Sequence, residues 1–393
     1  MFSSFTSRLH SEVETIKTVL DTHDRLRSLL FSPEFDPIVS EQVREEGGVL
    51  VPQDQVRESL RQARVTGPSK PAWHIYDHCA AFTRLYAIYE QFVEGLVSDY
   101  LRMLPELYQQ YQDLPEKVAT QHRVGTGQIL LKLGKDGPYK ALEERDIIKN
   151  LAHGLSGNPD YTLLRDAFLI DPQNYRAEVL SKLFTYLGIE NCWAWIEKHP
   201  LVTDFMQRER DANETPKTLL RDFVENRNLA SHTIVGETLA TEEIKSIADF
   251  VVVLSEALAQ LVMKQVVQRK KLLGEIAVAG QVMHKYSGNV VGARMSAGAL
   301  AVGDELVVVQ KHACYKAAVI SIQIQQGPLE RLETQDGQEI GIKLSVTAAD
   351  GAQLMKFPAT QPALPLETVP EPLSPDDFPE AADAQSGPDA DNS

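Results

Sequence analysis

The sequence predicts a mainly α-helical bundle followed by a small antiparallel β-barrel and a disordered acidic tail. Three observations carry this expectation. Apolar residues recur every three or four positions up to about Leu261, the period changes to two from about Gly274, and the stretch after Phe357 holds eight acidic residues and eight prolines with no Lys or Arg. The first spacing buries one face of a helix, the second buries one face of a strand, and the last composition cannot bury a core. The expected division is an N-terminal helical segment over 1–68, a helical domain over 69–271, a barrel over 272–357 and the tail over 358–393.

The first helix should run from about Phe5 to Leu30, with Val13, Ile16, Leu20 and Leu26 or Leu29 on its apolar face. Pro33, Pro37, Gly47, Gly48 and Pro52 then mark a looped region, followed by a short polar helix near Gln55 to Ala63 and a break at Gly67-Pro68. The main helical domain begins near Trp73. Leu85, Ile88, Phe92 and Leu96 give the segment Phe82 to Val97 a core face. Between Pro115 and Pro172 the glycines, among them Gly125, Gly127, Gly134 and Gly154, predict short helices. Gly125-Thr126-Gly127 does not have the spacing of a phosphate-binding loop.

Helix resumes over Ala177 to Leu187, Trp193 to His199 and Lys217 to Arg227. A long amphipathic helix starts at Thr241-Glu242-Glu243 and carries Ile244, Ile247, Phe250, Val251, Leu254, Leu258 and Leu261. It should pack beneath the preceding helix, and its apolar stripe reads equally as core or as a dimer surface. Ile320, Ile322 and Ile324 then alternate with polar residues, as do Ile340, Ile342 and Leu344. Strands are expected over Gly274–Met283, Val290–Met295, Gly298–Leu306, Ala317–Ile324 and Gly337–Leu344, enough for a closed barrel.

Length and composition suit a soluble chain of two or three domains, with 393 residues and 43% hydrophobic content. Cys79, Cys192 and Cys314 are scattered and odd in number, which argues for a reducing compartment rather than a disulfide framework. The N-terminus lacks a signal-like apolar run and the apolar stretches are interrupted, so a cytoplasmic protein off the membrane is expected. The formal charge of −16 opposes a polyanionic partner, but half of it lies in the tail. Any contact with a polyanion must then be local. Lys264 and the cluster Arg269-Lys270-Lys271 offer one place for it, or a solvated helix end complementing the helix dipole.

The most informative stretch is Arg227-Asn228-Leu229-Ala230-Ser231-His232. On a helix, Asn228 and His232 share a face and Arg227 sits at its edge. An imidazole exchanges protons near neutrality, a guanidinium matches phosphate geometry, and a carboxamide can orient the imidazole or bind a non-bridging oxygen. No cofactor is called for. His74-x-x-x-His78 followed by Cys79 lacks a further ligand at metal-site spacing, so no metal site is expected.

The motif Arg227-Asn228-x-x-x-His232 resembles the signature of HEPN ribonucleases of the RiboL-PSP/MAE-like group, and Phe82 to Val97 looks like the opening helix of such domains. The resemblance spans roughly residues 70 to 270. It implies a metal-independent endoribonuclease that leaves 2′,3′-cyclic phosphate and 5′-hydroxyl ends. Arg227, Asn228 and His232 would form the site, with Glu90 as a carboxylate brought towards it; Glu90 reads as readily as a solvated helix charge. It also implies a homodimer lining one cleft, and a toxin or antiviral role under an inhibitory or activating protein partner. The barrel resembles the second domain of elongation factor Tu at Gly298-x-Leu300-x-Val302-Gly303-Asp304, Ser321–Ile324 and Glu339–Ile342. That likeness suggests a translation-related RNA such as tRNA, or a plain assembly role. The alternative function is a non-catalytic RNA-binding or assembly module that uses the dimer as platform and the barrel for docking.

Overall fold

The computed structural model describes residues 3–33, 45–46, 49–50, 52–134, 139–170, 174–232, 238–324 and 327–357; for a few of these, His232 among them, only the backbone is described. All belong to one compact unit, Met1–Phe357. The expected acidic tail, 358–393, lies outside the described residues. Among the described residues are ten α-helices followed by an antiparallel barrel.

The helices are α1 (Ser3–Leu30), α2 (Pro52–Thr66), α3 (Lys70–Leu107), α4 (Glu116–Lys132), α5 (Glu144–Leu155), α6 (Ala177–Tyr186), α7 (Cys192–Ile196), α8 (Pro200–Glu209), α9 (Pro216–His232) and α10 (Thr241–Leu272). Helix α3 is the spine. Its start is set by Ser69, whose hydroxyl accepts the Ala72 N–H, and by Pro71 in the first turn. Leu85, Ile88, Phe92 and Leu96 are buried as their spacing requires. Helices α1, α9 and α10 all pack on α3, and α10 also packs on α1, α7 and α8. The bed of α9 is therefore α3 rather than α10. Helix α10 is long and apolar enough to cross a membrane, with mean hydropathy 1.7 in its most apolar window. Its apolar stripe is spent on the core: Ile244, Ile247, Phe250, Val251, Leu254, Leu258 and Leu261 are all buried.

Helix α1 is held by Leu9, Val13, Ile16 and Leu20 and by ion pairs. Arg27, 2% exposed, pairs with Asp77 of α3, which also meets His23 Nδ1 at 2.7 Å. Lys17 reaches Asp249 and Lys245 reaches Asp21, each at 2.8 Å.

Helix α4 is longer than its glycines suggest, running unbroken through Gly125 and Gly127. Gly125 serves close approach instead. A Cβ there would lie 2.1 Å from the Ala167 carbonyl oxygen, which accepts a 2.7 Å bond from Gln121 Nε2. Nothing lies within 4 Å of a Cβ at Gly127. Nearby, buried His122 accepts the Leu164 N–H at Nε2 (3.0 Å), so its proton sits on Nδ1 and points to the Tyr111 hydroxyl, also at 3.0 Å. Burial pushes its pKa down to about 4.

The barrel strands are β3 (Ala277–Lys285), β4 (Val290–Met295), β6 (Glu305–Val309), β7 (Cys314–Ile324), β10 (Glu339–Leu344) and β11 (Gln353–Lys356). They run in the order β10-β4-β3-β11-β6-β7, and β7 pairs back on β10 to close six strands. The remaining strands are β1 (Glu45–Glu46) with β2 (Val49–Leu50), β5 (Gly298–Ala301) with β9 (Arg331–Thr334), and β8 (Gly327–Leu329) beside β7. The stretch Gly298–Leu306 is not one strand. It turns after Ala301, where Asp304 Oδ2 accepts the Ala301 N–H at 2.8 Å and Gly303 takes φ +90°.

Ile340, Ile342 and Leu344 face inward as their alternation predicts, but Ile320, Ile322 and Ile324 do not share a face. Lys343 pairs with Ser321 and Leu344 with Val319, so Ile320 is the extra residue of a β-bulge. The bulge shifts the phase by one, burying both Val319 and Ile322 and leaving Ile320 47% exposed.

Two stability outcomes follow. Gly125→Ala should lower the unfolding free energy by about 2–3 kcal/mol, since the clash is with backbone, whereas Gly127→Ala should be neutral or stabilising by about 0.5–1 kcal/mol. Denaturant titration of both variants checks this. Because folded His122 binds its proton less readily than in the unfolded chain, its contribution is complete above about pH 6.5 and drains away as pH falls towards 4. Replacing it with Gln should flatten the slope of unfolding free energy against pH between 4.5 and 6 by up to about one proton's worth, roughly 1.4 kcal/mol per pH unit.

Candidate active site

Helix α9 begins with a reciprocal cap. The Thr215 hydroxyl accepts the Thr218 N–H at 3.1 Å, the Thr218 hydroxyl accepts the Thr215 N–H at 2.9 Å, and Pro216 occupies the first turn. Its apolar face is Leu219, Leu220, Phe223 and Val224, all buried. Phe223 packs against Phe82, Tyr86 and Tyr89 of α3, with ring centroids 5.8–6.2 Å apart.

One turn beyond Phe223 on the same face, Arg227 lays its guanidinium over the Tyr86 ring, 4.4 Å from the centroid. Its Nη1 donates to Asn228 Oδ1 and to Asn174 Oδ1, both at 3.1 Å, and Asn174 Nδ2 donates to Asn228 Oδ1 at 3.0 Å. Arg227 and Asn228 are half-buried. The charge is thus held in a fixed orientation without losing access to solvent.

Tyr86, Glu90 and Glu94 follow at four-residue intervals along α3. The Tyr86 hydroxyl accepts the Tyr175 N–H at 3.0 Å and bonds to Glu90. Burial pushes its pKa up to about 12, with Glu90 adding to the rise and Arg227 opposing it. The Glu90 carboxyl is likewise raised, first by burial and then by Glu94, against the pull of Arg227 and the Tyr86 bond. Glu94 accepts from Arg165 at 2.6 Å and from the Tyr175 hydroxyl at 3.3 Å. Glu90 is therefore not a solvated helix charge but part of the electrostatic surroundings of Arg227.

His232 is the last residue of α9, four positions after Asn228. Its side chain lies outside the described residues, so the expected Asn228–His232 contact does too. The carbonyl oxygen of Asn228 is already engaged by Arg227 and Asn174.

The four cations expected to meet RNA all have partners within the protein. Lys264 donates to the carbonyls of Gln310 (2.8 Å) and Lys311 (2.7 Å) and lies 4.8 Å from the Trp195 ring centroid. Arg269 Nε donates to the Leu107 carbonyl at 3.0 Å and stacks on Tyr108. Lys270 pairs with Glu275 at 2.6 Å, and Lys271 reaches Gln353 at 3.4 Å. These residues secure the end of α10 and the barrel on it. His74 and His78 bond the main chain of Leu239, at 3.0 and 3.3 Å.

Sequence reasoning missed Asn174, Tyr175 and Arg165. Nothing in sequence links these residues to the motif, since they meet it only through the fold. Tyr86 and Glu94 did carry a signal, their four-residue spacing on either side of Glu90.

Residues 57–264, more than half of the chain, match the RiboL-PSP-HEPN family, and the chain belongs to that family. HEPN domains are typically ribonucleases. Among solved structures, the C-terminal domain of a candidate U32 peptidase from Geobacillus thermoleovorans is similar at 14% identity, over 21% of this chain and 91% of that one, with a TM-score of 0.19. No curated protein matches the chain.

The raised Glu90 pKa gives a signed expectation. Keeping this carboxylate ionised in the folded state costs stability above its folded pKa, and the cost vanishes once pH falls below the ordinary carboxylate range. Glu90→Gln should raise the melting temperature at pH 8 and leave it unchanged near pH 4. A variant that is destabilised at pH 8, measured by thermal scans at both values, would count against this description.

Proposed function

We propose that this protein is a metal-independent endoribonuclease with Arg227, Asn228 and His232 at its site. The observation that carries the reading is Arg227, fixed by an aromatic face and two carboxamides while still reachable from solvent. Such a preorganised cation is suited to the charge that builds on phosphate oxygens during transfer. His232 takes the proton of the ribose 2′-hydroxyl as its oxygen bonds to the adjacent phosphorus, or returns one to the 5′-oxygen as the P–O5′ bond breaks. The products are a 2′,3′-cyclic phosphate and a 5′-hydroxyl. Glu90, its proton affinity raised by burial, lies beside Arg227 in this site.

The site works as a two-fold dimer in this reading, with the partner's imidazole dividing the acid and base roles. The cell context is a cytoplasmic toxin or antiviral effector held in check, or triggered, by another protein. The barrel's likeness to the second domain of elongation factor Tu, carried by Gly298–Asp304, Ser321–Ile324 and Glu339–Ile342, favours tRNA or another translation-related RNA. With Lys264, Arg269, Lys270 and Lys271 engaged internally, RNA contact rests on the motif surface rather than on that cluster.

The test is cleavage of cellular RNA by purified protein in EDTA, with end analysis of the products. His232→Ala and Arg227→Ala should each reduce the rate by about 10²–10⁴-fold while the melting temperature stays near wild type. Undiminished cutting by either variant, or a strict need for magnesium, would sink the assignment. Binding of RNA without cleavage would instead make the bundle a docking platform.

A further inference from the structure

Nη1 of Arg227 carries two hydrogens, and the structure supplies two acceptors, the Oδ1 atoms of Asn174 and Asn228. Because a guanidinium only donates, both carboxamides must present oxygen to it. Asn174 is then left with its NH2 group towards Asn228 Oδ1, as observed at 3.0 Å. Three side chains close a ring, one of them from the segment ahead of α6, far from the motif in sequence.

The ring divides the labour of its members. It saturates Nη1 and leaves Nε and Nη2, with three hydrogens and no partner among the described residues, as the working edge of Arg227. That edge is the two-pronged fork that fits two phosphate oxygens. Stacking on Tyr86 opposes tilt of the guanidinium plane, and the carboxamides oppose rotation within it. Asn228, its oxygen occupied, keeps an NH2 group to donate.

We infer that Asn174 is a positioning residue: it turns the Nε/Nη2 edge of Arg227 and the amide NH2 of Asn228 outward as one phosphodiester-binding unit. This rests on the reading above, in which Arg227 meets the scissile phosphate. Asn174 touches neither substrate nor reacting atom. Its effect passes through the two motif residues.

A double-mutant cycle on the full chain tests it, with wild type, Asn174→Ala, Arg227→Ala and the double variant compared. Cleavage is followed in EDTA for kcat and KM, and affinity is measured for a 2′-O-methyl RNA of the same sequence, which has no nucleophile. Asn174→Ala should lower kcat by about 10–100-fold, with a smaller change in KM, because the charge is retained but misaimed. In the Arg227→Ala background it should cost nothing further. Asn174→Ser, too short to span both partners, should behave like alanine, and melting temperatures exclude a folding defect.

Wild-type kcat in Asn174→Ala, or an equal loss with and without Arg227, would overturn the positioning role. If that happens while His232→Ala and Arg227→Ala are inactive, the nuclease reading survives alone. If those two variants cut like wild type, both ideas fall. Should no RNA be cut, the 2′-O-methyl RNA decides: Asn174→Ala must weaken its binding, and only when Arg227 is present.

Discussion

The packing of one phenylalanine against three aromatic rings organises this molecule's site. Phe223 seats α9 on α3 by touching Phe82, Tyr86 and Tyr89. The motif arginine and the two carboxylates are then placed by helical repeat from that contact: Arg227 one turn after Phe223, and Glu90 and Glu94 one and two turns after Tyr86. The apolar contact sets the register, and the register brings a guanidinium over Tyr86 with carboxylates nearby. Chemistry here is downstream of packing.

The electrostatics show a consistent division. Glu94 is matched with Arg165 and hydrogen-bonded by Tyr175, so that carboxylate is settled. Glu90 is the less comfortable one, half-buried beside another carboxylate, and its pKa rises accordingly. Among the described residues, Arg227 has more donors than its partners use. A cation beside a carboxyl of raised proton affinity marks this as the electrostatically perturbed region of the helical domain.

Much of the fold was legible from the sequence because its signals are local. The helix period, the start of the long helix at Thr241, and the inward alternation of Ile340, Ile342 and Leu344 each depend on near neighbours. Misreadings arose where a distant segment decides. Gly125 looked like a helix breaker, yet it makes room for the Ala167 carbonyl. Ile320 fell on the wrong face because a bulge, fixed by pairing with Leu344, shifted the alternation. The strand Gln353–Lys356 is only four residues long and gains its meaning from neighbours on both sides, β3 and β6. At the site, the six-residue motif and Glu90 were visible, but Asn174 was not, since a lone carboxamide in a loop has no period to betray it.

The internal engagement of Lys264, Arg269, Lys270 and Lys271 has a kinetic side. Those cations are already counted in the formal charge of −16, so the far field of the chain is repulsive to a polyanion, and being bound within the protein they offer it no local relief. Approach of a polyanion would then quicken as added salt shortens the reach of that field, the reverse of the usual electrostatic steering.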